Sequence, residues 1–105
     1  MSFEVRWSAS ALDDLDRLSE FLLQRASTVE DLELAGRAID AIRDASHSLL
    51  ARYPYSFRKA ASNARWRELI IPFGSTGYVA RYKIQRDRQR VIVLAVRHQR
   101  EEDYH

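Results

Sequence analysis

The sequence of 105 residues contains no cysteine, only three glycines and two prolines. Without cysteine there is no disulfide framework, no thiol nucleophile and no zinc site built on thiolates. Three glycines also leave no glycine-rich phosphate-binding loop. No segment approaches the roughly 18 to 20 consecutive apolar residues that a transmembrane helix needs. The N-terminus carries charges where a signal peptide requires an apolar run, so we expect a cytoplasmic protein without membrane attachment.

Histidine is also scarce. His47, His98 and His105 are far apart in the chain, and no two lie one helical turn apart, so there is no local metal-binding motif. We therefore expect neither a metal nor an organic cofactor. Hydrophobic residues make up 46% and charged residues 30% of the chain, which is typical of a folded protein. A chain of this length has room for one domain, which we place at residues 1–105.

The formal net charge of +2 conceals a strong polarity along the chain. Residues 1–52 carry ten acidic and six basic side chains, whereas residues 53–100 carry eleven basic and two acidic ones. Fifteen of the seventeen basic residues are arginine, which binds phosphate and carboxylate groups in bidentate geometry better than lysine does. We therefore expect the second half to attract a polyanion or an acidic partner protein.

The apolar pattern predicts one strand, two helices and three further strands. Alternation of Phe3, Val5 and Trp7 with charged residues predicts a first strand with one buried face. Apolar residues at helical spacing predict helices over about 9–26 and 28–52, and the short link between them makes an antiparallel hairpin. A loop is predicted at residues 53–65, and the later strands are predicted at 66–73, 78–85 and 91–96. The fold class is therefore α+β, with the helix hairpin packed on a mainly antiparallel sheet that a C-terminal three-stranded meander completes.

Two details of this pattern carry further expectations. The segment Val91–Val96 is apolar without interruption, which is typical of a strand buried on both faces. A single layer of helices covers one face, so we expect the chain's own loop or C-terminus, or a partner protein, to cover the other. Gly36 lies inside the second helix at a cost of about 1 kcal/mol relative to alanine, which predicts a close backbone approach to the first helix.

Several segments resemble the RelE/ParE superfamily of bacterial toxins from type II toxin–antitoxin systems. Val5–Ala11 followed by Asp13–Leu15 is similar to that family's passage from the first strand into the first helix. Arg67–Leu69 and Gly77–Tyr82 are similar to its central hairpin. Val93–Glu101 resembles the last strand and terminal motif of the ParE-like, plasmid-stabilisation branch. The resemblance covers nearly the whole chain and preserves the order of the segments.

The resemblance implies a growth-inhibiting toxin that a cognate antitoxin binds and neutralises. ParE-like members poison DNA gyrase, whereas RelE-like members cleave messenger RNA on the ribosome, and the shared fold does not choose between them. We favour gyrase as the target, because the chain has only two lysines and its tail is acidic at Glu101–Asp103, beside the site where RNA phosphate would bind. A non-toxic nucleic-acid-binding module is the third possibility.

The ribonuclease alternative requires a different set of candidate residues, those that could catalyse RNA cleavage. Metal-free cleavage needs a base, cations that stabilise the charged phosphorane, and an acid for the leaving oxygen. Arg67, Arg81 and Arg97 are expected on one face of the sheet as the cations. His98 is the candidate base, because histidine changes charge near neutral pH. Tyr104 or His105 is the candidate acid.

Two sets of binding residues follow from the toxin interpretation. Antitoxins of this kind are usually disordered alone and fold on binding, and the loop and last strand are the expected docking face: Tyr55, Phe57, Arg58, Lys59, Val93 and Ala95. The candidate residues for binding the target are the basic side chains of the sheet and its turns: Arg81, Lys83, Arg88, Arg90, Arg97 and Arg100.

Overall fold

A computed structural model describes residues 2–101 and Tyr104. The described elements, in chain order, are β1 (Glu4–Trp7), α1 (Ala9–Arg25), α2 (Val29–Arg52), β2 (Arg58–Lys59), β3 (Trp66–Phe73), β4 (Thr76–Gln85), a short 3-10 turn (Arg86–Arg88) and β5 (Arg90–His98). The five strands form one sheet in the order β1-β5-β4-β3-β2. β1 pairs in parallel with β5, and the other pairs are antiparallel. The predicted α+β class, with its helix hairpin and C-terminal meander, is confirmed.

Side-chain caps fix where both helices begin. Ser8 Oγ accepts the Ala11 N–H at 3.1 Å and donates to the Leu94 carbonyl, so one side chain caps α1 and joins it to β5. Thr28 Oγ1 accepts the Asp31 N–H at 3.1 Å at the start of α2. α2 ends at Arg52, just before Pro54, because the residue preceding a proline is disfavoured in helical conformation. The predicted bounds of both helices are therefore confirmed to within a residue or two.

The core lies between the helix hairpin and one face of the sheet. Ala11, Leu15 and Leu18 of α1 and Ile42 and Leu50 of α2 are buried there. The sheet contributes further buried side chains to the same cluster: Leu69, Ile71, Tyr78, Ala80, Tyr82, Val91, Val93 and Val96. The opposite face of the sheet, which we call the outer face, is not covered by helices. No helix among the described residues is long and apolar enough to cross a membrane.

The expectation that β5 is buried on both faces is wrong. Val91, Val93 and Val96 are completely buried under the helices, whereas Ile92, Leu94 and Ala95 are only half-buried. A register shift opposite Arg81 and Tyr82 breaks the simple alternation along β5. β5 lies between β1 and β4, and its outer face is covered only in part, where Tyr104 of the chain's own C-terminal segment contacts Arg97.

Three smaller expectations are also corrected. The predicted loop at 53–65 contains the two-residue strand β2, which extends the sheet beside β3. The strands predicted at 66–73 and 78–85 leave four residues for the turn between them, whereas Phe73 already pairs with Thr76, so Gly74 and Ser75 alone form the turn between β3 and β4. A Cβ on Gly36 would meet nothing within 4 Å, so this glycine does not serve a close approach of the two helices.

Candidate functional site

A cavity of about 800 Å³ lies on the outer face of the sheet. Its lining combines basic, aromatic and small side chains: Arg58, Lys59, Ala61, Ser62, Trp66, Glu68, Arg81, Arg97 and Tyr104. We call this cavity the basic groove. Four of its side chains are cations, and Glu68 is its only acid among the described residues. This excess of positive charge suits an anionic ligand.

Strand register brings the groove residues together. Glu68 of β3 lies directly opposite Arg58 of β2 and Arg81 of β4. Arg97 of β5 lies opposite Val79, two residues before Arg81 and therefore on the same face. Four strands thus place these side chains side by side, although they are up to 39 residues apart in the chain.

Tyr104 fills part of the groove. Its ring centroid lies 3.9 Å from the guanidinium carbon of Arg81 and 5.2 Å from that of Arg97. Its hydroxyl donates a 2.7 Å hydrogen bond to Glu68 Oε2. Burial raises the pKa of the Tyr104 phenol, and the Glu68 carboxylate raises the pKa further. The phenol is therefore protonated at neutral pH and acts as a hydrogen-bond donor.

The charged groups of the groove are already engaged within the chain. Glu68 Oε1 lies 3.0 Å from Arg58 Nη2, so both carboxylate oxygens have partners. Arg81 stacks on the Trp66 ring at 4.8 Å and donates to Ser62 Oγ at 3.3 Å. Arg97 Nη1 donates to the Glu101 carbonyl at 2.6 Å. These contacts hold the guanidinium groups in fixed orientations.

The structure separates the residues of the ribonuclease alternative. Arg81 and Tyr104 meet in the groove, whereas Arg67 and His98 lie elsewhere. Arg67 lies opposite Tyr82 and donates to the Phe57 carbonyl at 2.7 Å. The His98 ring contacts Thr76 Oγ1 at 3.2 Å and accepts the Arg100 N–H at 3.1 Å. The expectation that Arg67 shares a face with Arg81 and Arg97 is wrong, and His105 lies outside the described residues.

The proposed antitoxin residues have different surroundings. Arg58 and Lys59 are exposed on the edge strand β2, and Tyr55 is 44% exposed. Ala95 and Phe57 are half-buried. Val93 is completely buried in the core, so its inclusion in a docking surface is corrected.

The proposed target-binding residues do not form one patch. Arg81 and Arg97 lie in the basic groove, and Lys83 lies opposite Trp66 on the same face. Arg88 is exposed in the turn before β5, and Arg90 lies 3.8 Å from Glu4. Arg100 follows the other end of β5, where it lines a different cavity. The strand length therefore separates Arg88 from Arg100.

That second cavity, which we call the apolar groove, is absent from the sequence-based prediction. It has a volume of about 850 Å³ and lies between the C-terminal half of α1, the first half of α2 and the β3–β4 hairpin. Phe21 and Leu34, both about half exposed, line it together with Phe73. Arg17, Arg25 and Arg100 lie at the same cavity. The sequence did hold a signal for this groove, because α1 and α2 carry apolar residues outside their core-facing positions.

Among the described residues, no three histidine, aspartate or glutamate side chains are grouped as a metal ion would require. The family model described as "ParE toxin of type II toxin-antitoxin system, parDE" matches residues 5–103. The chain belongs to the ParE toxin family. It is also similar to the toxin RelE3 of Caulobacter vibrioides, with 34% identity over 94 residues, which is 90% of this chain and 91% of that protein.

Solved structures of two toxin–antitoxin systems share the fold of this ParE-family toxin. One chain of the RelBE2 complex from Mycobacterium tuberculosis aligns with a TM-score of 0.66 and 20% identity, covering 96% of this toxin and 95% of that chain. A chain of the chromosomal ParDE system from P. aeruginosa aligns with a TM-score of 0.71 and 14% identity, covering 91% and 95%. At these identities the likeness concerns the fold. Together with the family match, it makes the protein the toxin of a type II toxin–antitoxin system.

Proposed function

We propose that this toxin inhibits growth by binding DNA gyrase and that a cognate antitoxin neutralises it. The observation that carries the proposal is the match to the ParE family model over residues 5–103, nearly the whole chain. The concentration of positive charge in residues 53–100 is consistent with a target that itself binds DNA.

The contacts of the basic groove support a binding rather than a hydrolytic role. A nuclease needs a base to take the 2′-hydroxyl proton. No histidine lies in the described groove. Its only carboxylate, Glu68, is engaged by Arg58 and Tyr104, and the raised pKa of Tyr104 makes this phenol a poor base at neutral pH.

Messenger-RNA cleavage is the second candidate function. The observation that favours it is the placement of Arg81 and Arg97 against the ring of Tyr104, with Glu68 hydrogen-bonded to the hydroxyl of that ring. Two guanidinium groups suit a phosphorane, and Glu68 would act as base once released from its partners. The relative named RelE3 adds to this alternative.

One pair of assays separates the two candidates. Purified toxin is added to a gyrase supercoiling reaction and, separately, to ribosomes programmed with a defined transcript. The proposal expects inhibited supercoiling and intact transcript. Cleaved transcript that disappears in Glu68→Gln, together with unaffected gyrase, would establish the alternative. Arg43→Ala, on the exposed side of α2 away from both grooves, is the control for nonspecific loss of charge.

We propose that the antitoxin docks in the apolar groove. Its apolar side chains suit the apolar face of an amphipathic helix, and the arginines at the cavity suit acidic residues on that helix. Both structural neighbours belong to toxin–antitoxin systems, which supports an antitoxin partner here. The loop surface of Tyr55, Phe57, Arg58 and Lys59, with Ala95, is the competing docking face.

A further inference from the structure

We propose that Tyr104 is an intramolecular ligand of the basic groove, which a single strand of nucleic acid must displace in order to bind there. Tyr104 thus makes an autoinhibitory contact that lowers the affinity of the groove for phosphate-bearing strands. The proposal concerns occupancy of the groove and does not depend on whether gyrase or messenger RNA is the cellular target.

The contacts of Tyr104 resemble those of a bound base rather than those of a frayed chain end. Its ring stacks against two guanidinium groups, Arg81 at 3.9 Å and Arg97 at 5.2 Å. Its hydroxyl is directed at the Glu68 carboxylate at 2.7 Å. Stacking on a cation and a hydrogen bond to an anion are the interactions that proteins use to hold nucleobases. The groove is therefore shaped for a planar ring and contains one from its own chain.

Glu101 tethers the tail beside the groove. Its carbonyl accepts from Arg97 Nη1 at 2.6 Å, and its carboxylate accepts the His98 N–H at 2.9 Å and lies 3.3 Å from Arg17. These contacts reverse the chain directly after β5. A ring attached three residues further on is therefore present at high effective concentration, and an external ligand has to compete with it.

A single nucleic-acid strand is the competitor that the rest of the groove favours. Arg58, Lys59, Arg81 and Arg97 supply positive charge along its walls, and Trp66 supplies a second aromatic surface. Basic grooves with stacking residues bind single strands with little sequence preference. Glu68 would meet the donor groups of a base where it now meets the tyrosine hydroxyl. Displacement of Tyr104 thus exchanges one stacked ring for another and adds contacts to phosphate.

The test measures binding of the purified full-length toxin to a fluorescein-labelled decameric oligouridylate by anisotropy at low salt. For Tyr104→Ala we expect a dissociation constant about tenfold lower than in wild type, because the competing stack and hydrogen bond are gone. Tyr104→Phe keeps the ring and loses the hydroxyl, so we expect a gain of about two- to threefold. Tyr53→Ala removes a 52% exposed tyrosine outside the groove and is expected to bind like wild type.

Other outcomes would overturn the proposal. Weaker binding by Tyr104→Ala would show that the ring orients Arg81 and Arg97 for the ligand instead of excluding it. Unchanged binding by both Tyr104 variants, or absence of binding by every protein in the series, would also contradict it. Thermal melts accompany each variant, and if Tyr104→Ala does not fold, the gain expected of Tyr104→Phe decides. Arg81→Ala in the Tyr104→Phe background must lose the gain, since the proposal places the strand against that guanidinium.

Discussion

Among single residues, Asp14 makes the most consequential polar contact in the core. Its side chain is buried, and its Oδ2 accepts the Val96 N–H of β5 at 2.8 Å. This hydrogen bond connects α1 to β5 of the sheet. Asp14→Ala leaves that buried N–H without its acceptor, and we expect the free energy of unfolding to fall by about 2 to 3 kcal/mol, measured by urea denaturation.

Asp16 is the matched control for Asp14. It lies on the same helix two residues later and is exposed. We expect Asp16→Ala to change the free energy of unfolding by less than about 0.5 kcal/mol. Equal losses in the two variants would mean that the effect comes from charge near the start of α1 rather than from the contact with Val96.

Tyr82 links the sheet to the start of the 53–65 segment and provides a pH-dependent contribution to stability. Its hydroxyl is completely buried and donates to the Pro54 carbonyl at 2.6 Å. Tyr82→Phe leaves that carbonyl unsatisfied, so we expect a loss of about 1 to 2 kcal/mol at pH 7. Chemical denaturation at neutral pH measures it, and Tyr53→Phe, at an exposed position, is expected to show no loss.

The pH dependence of the same variant has a defined sign. Burial raises the pKa of Tyr82 to about 12 from the usual tyrosine value of about 10. Because the unfolded chain ionises first, this stabilisation is complete below pH 10 and is lost as pH rises towards 12. Wild type should therefore lose up to about 2 kcal/mol more than Tyr82→Phe across that interval. Parallel stability curves for the two proteins between pH 9 and 12 would contradict this assignment.

The face of the sheet on which a side chain lies can be predicted from the sequence only where strand register is not needed. Along β4, Tyr78, Ala80 and Tyr82 alternate with Arg81, and this local pattern is enough to put Arg81 on the outer face, where it lines the basic groove. The placement of Arg67 required knowing which β4 residue lies opposite it, and Tyr82 rather than Arg81 does so. His98 lies opposite Tyr78, a residue of the core cluster, so it is on the face away from the groove, and there its ring contacts Thr76 and Arg100.

At the scale of elements, the β3–β4 hairpin depends on one glycine. A Cβ on Gly77 would lie 2.5 Å from the Ile71 carbonyl oxygen and 3.2 Å from Pro72 Cα. Both obstacles are backbone atoms of the paired strand, so relief requires the strands to separate. We expect Gly77→Ala to reduce the free energy of unfolding by about 2 to 4 kcal/mol, measured by denaturant titration.

Substitution of Gly36 by alanine should have the opposite effect on stability to substitution of Gly77. A Cβ there meets nothing within 4 Å, and the residue lies inside α2 at an exposed position. Gly36→Ala is therefore expected to stabilise by about 0.5 to 1 kcal/mol through helix propensity. A loss of stability in this variant would indicate that the flexibility of α2 matters in a way that the packing does not show.

The bounds of the two helices could be predicted because the residues that determine them are close together in the sequence. Caps at Ser8 and Thr28, apolar spacing and Pro54 all act within a few residues, and each agrees with the observed bounds. The burial of β5 was misjudged because its position between β1 and β4 is a non-local property. An apolar strand in the interior of a sheet and a strand covered on both faces have the same composition.

At the scale of the molecule, the uneven charge along the chain separates an acidic helix layer from a basic sheet. The acidic first half contributes both helices and β1, whereas the basic second half contributes β2 to β5 and their turns. The two cavities follow this division, since the basic groove opens on the sheet and the apolar groove lies between helices and hairpin. The sequence predicted a basic half, but the distinction between the two grooves required the packing of α1 and α2 against the β3–β4 turn.

An antitoxin that docks in the apolar groove should stabilise the folded toxin as a whole. A partner present at a hundredfold excess over its dissociation constant stabilises the folded toxin by about 2.7 kcal/mol, which corresponds to a rise in melting temperature of roughly 10 °C or more for a domain of this size. The measurement is a thermal melt of the purified toxin with and without its cognate antitoxin. We expect Phe21→Arg with Leu34→Arg to abolish the rise, because burying two unpaired guanidinium groups in an apolar interface is unfavourable.

Leu12→Arg is the control that separates the docking face from general surface damage. Leu12 is 46% exposed, close to the 50% of Phe21 and the 48% of Leu34, but it does not line the apolar groove. This variant should therefore keep the full rise in melting temperature. If Arg58→Glu with Lys59→Glu removes the rise and the groove variants retain it, the antitoxin docks on the loop surface instead.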